Sequence, residues 1–359
     1  MTLRVLALCT APSLNASNRL RIEQYGPLLR DEGIELEVAP YFDDETYAIL
    51  HRSGHTARKV LGVVAGAARR VRDLWRARDT DLLLVHREST PLGPPMIEAL
   101  WRSRMRPYVF DFDDAVFVGD FHPANRRWSW LRQPSRVAPA VRGAAAVVAG
   151  NEYLAGWARG LNPNVTVLPT PVDTDRHRPR AAHDAHDPLV LGWVGSSTTA
   201  RYLRILDEPL GELAKRRSIV FRVVGGEYEH RSARVEVRPY RVDSEPAELA
   251  GFDIGVLPQP DDPWTRGKGA FKALLYMATG LPVVASSGGV NSEVVRDGET
   301  GFCVDGCAEW VEALDRLASD PALRQRMGEA GRARVEAHYS LRVLAPRLAK
   351  VLQRAARHT

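Results

Sequence analysis

The stretch WTRGKGAFKALLYMATGLPVVASS, Trp264 to Ser287, reads as a loop, a helix, a glycine stop and a short buried strand. Periodicity places the helix at Lys268 to Thr279, with Phe271, Leu274, Leu275 and Ala278 on its apolar face and Lys268 and Lys272 together on another. Gly280 supplies the stop and Pro282 the restart. Two lysines in a first turn oppose the helix dipole, a conflict that an anion held between them would remove. The plainer reading makes both of them solvated surface lysines.

The same alternation of helix and short apolar run continues in both directions, as expected of α/β architecture with parallel sheets. Upstream runs are Val5 to Leu8, Leu36 to Ala39, Leu82 to Val85, Tyr108 to Phe112, Ala146 to Ala149 and Val165 to Leu168. Helices are expected at Leu20 to Glu32 and Pro95 to Arg104. Runs resume at Leu189 to Val194, Val220 to Val224, Val235 to Arg238, Ile254 to Leu257 and Val283 to Ala285, with helices at Thr199 to Arg216, Pro246 to Leu249 and Ala308 to Ser319. Between the halves, Pro169 to Pro188 is rich in proline and charge; His177, His183 and His186 lack metal-ligand spacing there, and the segment reads as a linker. The division is therefore 1–170, a linker at 171–188, 189–340, and a final helix at 341–359 that packs back across both halves.

The chain has 359 residues, enough for two cores, and a net charge of +5 from arginines spread along helices, which suits anionic ligands better than nucleic acid. Its 3 cysteines cannot build a disulfide framework, and no signal peptide or membrane-length run is present, so the expected home is the cytoplasm. Residues 60–78 form an amphipathic helix with an arginine-rich side, either a crossover helix or at most a peripheral membrane contact.

Ligands of open parallel sheets bind beyond the carboxyl ends of the strands. The first half offers Asn15 to Arg21, His86 to Glu88, Asp113 with Asp114, and Asn151 to Tyr153 there; the second offers Gly195 to Arg201, Gly225 to Glu227, Gln259 to Lys268, and Ser286 to Val290. Two such rims facing each other across a cleft can hold two substrates. Gly195, Ser196, Ser197 and Thr198 open a helix as a phosphate pocket, or serve as plain caps; Arg201 follows one turn later. With Lys268 and Lys272 they suit a diphosphate. Asp111-Phe112-Asp113 admits a metal, an acid/base role or a helix cap, and an Asp111 inside its strand needs a partner such as Arg21 or Arg87.

The runs DIGVLPQP (Asp253 to Pro260), Gly267 to Ser287, and GGVNSEVVRDGETGFCV (Gly288 to Val304) resemble the donor domain of family 4 retaining glycosyltransferases of the GT-B fold. SNRLR and DFDDAVF in the first half are similar to divergent members, so the resemblance covers nearly the whole chain. It implies two Rossmann-like domains, a nucleotide-diphosphate sugar (UDP or GDP) on the C-terminal one, a hydroxyl acceptor on the N-terminal one, no cofactor and no metal. The usual arginine and lysine that bind diphosphate fall on Ser196 and Arg201, the usual paired glutamates on Gly267 and Leu275, and a common histidine on or near Asp113.

These readings combine into an expectation of sugar transfer with retained configuration to a polysaccharide, glycolipid or secondary metabolite. The expected catalytic residues are Asp113, Asp114, Lys268 and Arg201. Donor binding falls to Gly195, Ser196, Ser197, Thr198, Arg201, Gly225, Lys268, Lys272, Gly289 and Val290, with Lys268 ranked above Lys272. Acceptor binding falls to Asn15, Arg19, Arg21, Arg87, Glu88 and Glu152. The missing glutamates favour an alternative, a catalytically silent nucleotide-sugar binding subunit.

Overall fold

A computed structural model describes residues 2–50, 52, 54–91, 107–118, 136–179 and 187–357. The chain divides into one unit made of Met1–Pro171 and Leu341–Thr359 and a second made of Val172–Ser340. Each is built on a six-stranded, wholly parallel sheet.

The first sheet contains β1 (Leu3–Cys9), β2 (Ile34–Pro40), β3 (Leu82–His86), β4 (Tyr108–Phe112), β5 (Ala146–Ala149) and β6 (Val165–Val167) in the order β2-β1-β3-β4-β5-β6. After β2 the chain crosses to the other side of β1, so the direction of strand addition switches between β1 and β3. The helix Thr56–Arg76 lies within that crossover. Leu344, Leu348 and Leu352 of the helix Leu341–Arg357 pack with Val5, Leu82, Leu84 and Val109, so this last helix completes the core of the first unit.

The second sheet contains β7 (Leu189–Val194), β8 (Ile219–Val224), β9 (Arg234–Arg238), β10 (Ile254–Leu257), β11 (Val283–Ser286) and β12 (Gly301–Val304) in the order β12-β11-β10-β7-β8-β9. Its switch lies between β7 and β10. Alternate residues of β7 enter two cores: Leu189, Leu191 and Trp193 on one face, Val190 and Val194 on the other. That two-sided burial explains a continuous apolar run where a half-solvated strand would alternate.

Several sequence expectations change. The helix expected from Lys268 begins at Phe271, because Ala270 takes a left-handed conformation (φ +48°) and Lys268 is extended. Lys268 and Lys272 therefore do not share a helix face. Thr199 to Arg216 is not one helix but the helix Ser197–Ala200, a 3-10 segment Arg201–Leu206 and the helix Asp207–Ala214. Leu20 to Glu32 likewise breaks, with Ala16–Arg21 ending at Ile22 and a new helix starting at Gly26 with Pro27 in its first turn, where a missing N–H costs nothing. The linker reading fails as far as Pro179: Val172 and His177 are buried, and Arg332 donates to the carbonyls of Thr174 and His177. His183, His186 and the helix expected at Pro95 to Arg104 lie outside the described residues. β12 was not among the expected strands, GFCV being too short and mixed to announce itself.

No helix among the described residues is long and apolar enough to cross a membrane. Cys9, Cys303 and Cys307 are free thiols.

Gly192 in β7 faces the buried Phe252 ring so closely that a Cβ would lie 2.0 Å from it. Overpacking of this kind in a central strand is expected to destabilise Gly192→Ala by about 1–3 kcal/mol, read as a lower urea midpoint with unchanged slope.

Candidate functional site

Both switch points carry polar side chains, and each set stands on its own unit. In the first, Asn15 caps the helix Ala16–Arg21 by accepting from the amides of Ser17 (2.8 Å) and Asn18 (3.3 Å), and its amide donates to the Tyr47 hydroxyl. This fixes two side chains that face the end of β4. Arg21 is buried and donates to Asp111 through Nε (3.1 and 3.2 Å) and Nη2 (2.8 Å), and to the Leu168 carbonyl through Nη1 (2.6 Å). Ser17 Oγ lies 3.0 Å from His86 Nε2 and 3.1 Å from Asp113 Oδ2.

His86, at the end of β3, completes the chain of contacts with Nδ1 2.7 Å from Asp111 Oδ2. The Ser17 hydroxyl has a single proton, so it can serve Asp113 Oδ2 or His86 Nε2 as donor but not both at once. Next to it, Arg87 sits at φ +59° and binds Asp113 through Nε (2.7 Å) and Asp114 through Nη2 (2.6 Å). Burial pushes the Asp113 carboxyl upward, but the charge and hydrogen bond of Arg87, together with His86 and Arg21, outweigh it and hold the group well below the usual carboxylate range. Burial likewise opposes the charge of Arg87, and Asp113 and Asp114 more than restore it. Gly150, after β5, closes the wall: a Cβ there would lie 3.0 Å from Asp113 Cα.

The structure thus brings together Asn15, Arg21, Arg87, Asp113 and Asp114 of the expected residues. It recasts Arg21, whose guanidinium is buried on protein partners and orders the cluster instead of reaching outward. Arg19 donates to the Ser13 carbonyl (3.0 Å), the Glu88 amide donates to the His86 carbonyl (2.7 Å), and Glu152 is exposed and paired with Arg159 (2.8 Å). Ser17 and His86 received no individual role from the sequence; their strand-end positions were the available signal. His86 also stands 3.9 Å from Asp113, so a histidine adjoins the place where Asp113 replaces one. Among the described residues no cluster of three His, Cys, Asp or Glu side chains has the form of a metal site.

In the second unit, β7 and β10 pair only at Leu191–Ile254 and Gly192–Gly255 before separating. The Tyr276 hydroxyl bridges the gap, accepting from the Val194 amide (3.0 Å) and donating to the Val256 carbonyl (3.4 Å), and the lack of a side chain on Gly255 admits the ring. Beyond Tyr276 the glycines crowd together. A Cβ on Gly225 (φ +85°) would lie 2.3 Å from the Gly195 carbonyl oxygen, and one on Gly195 would lie 2.8 Å from Lys272 Cε. The Lys272 stem therefore lies across the backbone of the glycine loop, with Nζ 5.5 Å from the Trp193 ring centre.

Lys268 instead has its Nζ 5.2 Å from the Trp264 ring centre. Arg201 lies over Tyr202 and donates to its hydroxyl (3.0 Å). Ser196 and Thr198 bond each other (2.7 Å), and the helix after them has four residues, Ser197–Ala200, so its dipole is weaker than that of the long helix expected there. The loop after β10 is tied down by its own side chains: Asp262 accepts from the amides of Trp264 (2.9 Å) and Thr265 (2.8 Å), while the Gln259 side chain donates to the Thr265 carbonyl (3.1 Å). Gly289 (φ +62°) and the buried Val290 follow β11, and a Cβ on Gly289 would meet Arg266 of that loop at 3.4 Å. The geometry gathers Gly195, Gly225 and Lys272.

Replacing Arg21 by Met strands Asp111 in the interior, and is expected to cost about 3–5 kcal/mol in denaturant unfolding. Asp113 stabilises the fold above the ordinary carboxylate range and loses that contribution as pH falls below about 4. Asp113→Asn should therefore flatten the acid limb of the stability–pH profile; an unchanged limb would assign that limb to other groups.

Residues 188–320 match the family model described as glycosyl transferases group 1. The D-inositol 3-phosphate glycosyltransferase of Arthrobacter sp. (strain FB24) is 39% identical over 89 residues, 23% of this chain and 20% of that protein. A GDP-mannose-dependent monoacylated alpha-(1-6)-phosphatidylinositol monomannoside mannosyltransferase of Corynebacterium glutamicum is 37% identical over 113 residues, 29% of this chain and 28% of that protein. The matched segments thus span well under half of either relative. The sucrose-phosphate synthase (tll1590) of Thermosynechococcus elongatus superposes with a TM-score of 0.72 at 15% identity, covering 98% of both chains, a likeness of fold. The chain has the GT-B fold, and its second unit carries the segment matched by the glycosyl transferases group 1 family.

Proposed function

We propose that this protein transfers a glycosyl group from a nucleoside-diphosphate sugar to a hydroxyl acceptor with retained configuration. The observation that carries the proposal is the placement of Lys272 across Gly195 at the β7–β10 switch, inside the segment matched by the family model. A diphosphate set there would meet the Gly195 to Thr198 amides, the Ser197 and Thr198 hydroxyls and the Lys272 ammonium. Lys268, in the loop before the helix Phe271–Ala278, and Arg201, at the start of the 3-10 segment, would flank it. Gly225 admits the close approach because it has no side chain, and Gly289 with Val290 would border the sugar.

The chemical task is to stabilise charge that builds on the leaving phosphates, and preorganised cations and amides do this without reorganising. No metal is needed in this scheme, because ammonium, guanidinium and backbone amides take the place of a divalent ion. Retention follows if the departing diphosphate accepts the proton of the incoming hydroxyl on the same face of the sugar. In the first unit, Asp113 and the Ser17 hydroxyl would orient the acceptor, held in place by Arg87 and His86. The relatives' names supply donors and acceptors of this kind, a GDP-sugar in one case and an inositol phosphate in the other.

The test is a panel of UDP- and GDP-sugars with hydroxyl acceptors, scored by nucleotide diphosphate release with and without chelator. Lys272→Ala is expected to lower turnover about a hundredfold with the fold intact, since removal of one such donor typically costs about 3 kcal/mol. Turnover within a few-fold of the parent would remove Lys272 from this role. Nucleotide-sugar binding by thermal shift without any release would replace transfer by binding alone.

A further inference from the structure

The helix Thr56–Arg76 is turned inside out relative to an ordinary surface helix. Its inward side holds Gly62 and Gly66, pressed on Thr46 and Tyr41, and the buried pair Arg70 and Asp73 (2.8 Å). Arg70 also donates to the carbonyls of Ala39 (2.9 Å) and Ser89 (2.6 Å), so these polar groups are consumed by the fold. The outward side carries Val60, Leu61, Val64, Val71 and Trp75, which are 57%, 68%, 60%, 56% and 62% exposed. Positions 60, 64, 71 and 75 recur at helical spacing, forming one apolar stripe about 20 Å long. An exposed patch of this size on a folded unit marks a surface meant to be covered.

The charge around the stripe identifies what covers it. Residues 56–79 contain seven Lys or Arg and two Asp, and Arg58, Arg72 and Arg78 are exposed beside the stripe. Arg78 lies over the Trp75 ring at 4.1 Å, which places an amphipathic ring and a cation together at one end. A nucleic acid would call for cations at the centre of the face, where this helix has valine and leucine. A second copy paired about a two-fold axis would set these arginines against themselves. An apolar stripe with a basic border fits an anionic lipid surface, with the stripe in the acyl boundary and the arginines at the headgroups.

We infer that this protein docks on anionic membrane surfaces through the outward face of Thr56–Arg76, lying in the interface without spanning it. The inference does not depend on the transfer reaction. The full chain is sedimented with vesicles of phosphatidylcholine alone and of phosphatidylcholine with phosphatidylglycerol, at low and high salt. Binding is expected to the anionic vesicles only and to weaken with salt. The double variant Val64→Glu/Val71→Glu should abolish binding with unchanged circular dichroism and melting, since both side chains face water. Arg58→Glu/Arg72→Glu, which leaves the stripe intact, should lower affinity about fivefold or more for each cation removed. The inference is overturned by absence of binding at low salt, by equal binding to neutral vesicles, or by glutamate variants that bind like the parent. A dimer dispersed by Val64→Glu/Val71→Glu, without vesicle binding, overturns it in favour of self-association.

Discussion

Where a parallel sheet changes the direction in which strands are added, two adjacent strands send their chains away to opposite sides, and their carboxyl ends are left without a common cover. Backbone groups there need partners from side chains. In the second sheet the partner is Tyr276, whose hydroxyl takes up the Val194 amide and the Val256 carbonyl after β7 and β10 have stopped pairing. In the first sheet Arg70 serves the same end, gathering carbonyls at the ends of β1 and β2 and after β3. Once these groups are satisfied, the crevice floor is fixed, and the loops above it can carry chemistry instead of structure.

Charge placed in a strand interior has the next largest influence. Asp111 occupies β4 between β3 and β5, where an unpaired carboxylate would be prohibitively desolvated. It draws Arg21 from the helix Ala16–Arg21 and His86 from β3, and these in turn fix Ser17 and, through Arg87, Asp113 and Asp114. One buried carboxylate thereby orders side chains from three separate segments. The outer members of the cluster keep polar atoms towards the strand-end rim while the inner members are saturated, an arrangement suited to holding a polar ligand against a rigid wall.

Much of this was legible in the sequence. Tyr108–Phe112, Ala146–Ala149, Leu189–Val194 and Ile254–Leu257 were readable as strands with their bounds, because strands buried on both faces leave uninterrupted apolar runs. The strand-end inventory contained many of the polar residues of both switch points, but not Arg70 or Tyr276, which reach them from helices. What periodicity missed were backbone events. The start of the helix Phe271–Ala278 was misplaced because the four-residue spacing of Lys268 and Lys272 suits a helix face, whereas the break between them is a left-handed alanine that no composition rule anticipates. The partners of Lys272 were hidden for a related reason: its contact is with a glycine backbone some 80 residues away in sequence, which only the fold brings near. The outward turn of the apolar stripe of Thr56–Arg76 was not legible, since amphipathicity alone leaves open which side meets the core, and the glycines that pack inward carry no hydrophobic signal.

The backbone itself points to the same places. Three non-glycine residues among those described have positive φ: His55, Arg87 and Ala270. Such conformations cost on the order of 1–3 kcal/mol for a residue with a Cβ and persist where the surroundings over-determine them. Arg87 is held by two carboxylates at the first switch point, and its left-handed backbone is what lets one guanidinium span both Asp113 and Asp114. Ala270 separates the extended Lys268 from the helical Lys272; a helical Ala270 would return the two ammonium groups to one face and draw Lys268 away from Trp264. His55 starts the helix whose apolar stripe faces outward, a milder case because histidine visits this region more readily. Strain retained beside both candidate binding rims is strain that repacking could have relieved, and its retention fits loops selected for the positions of their cations over the stability of their backbone.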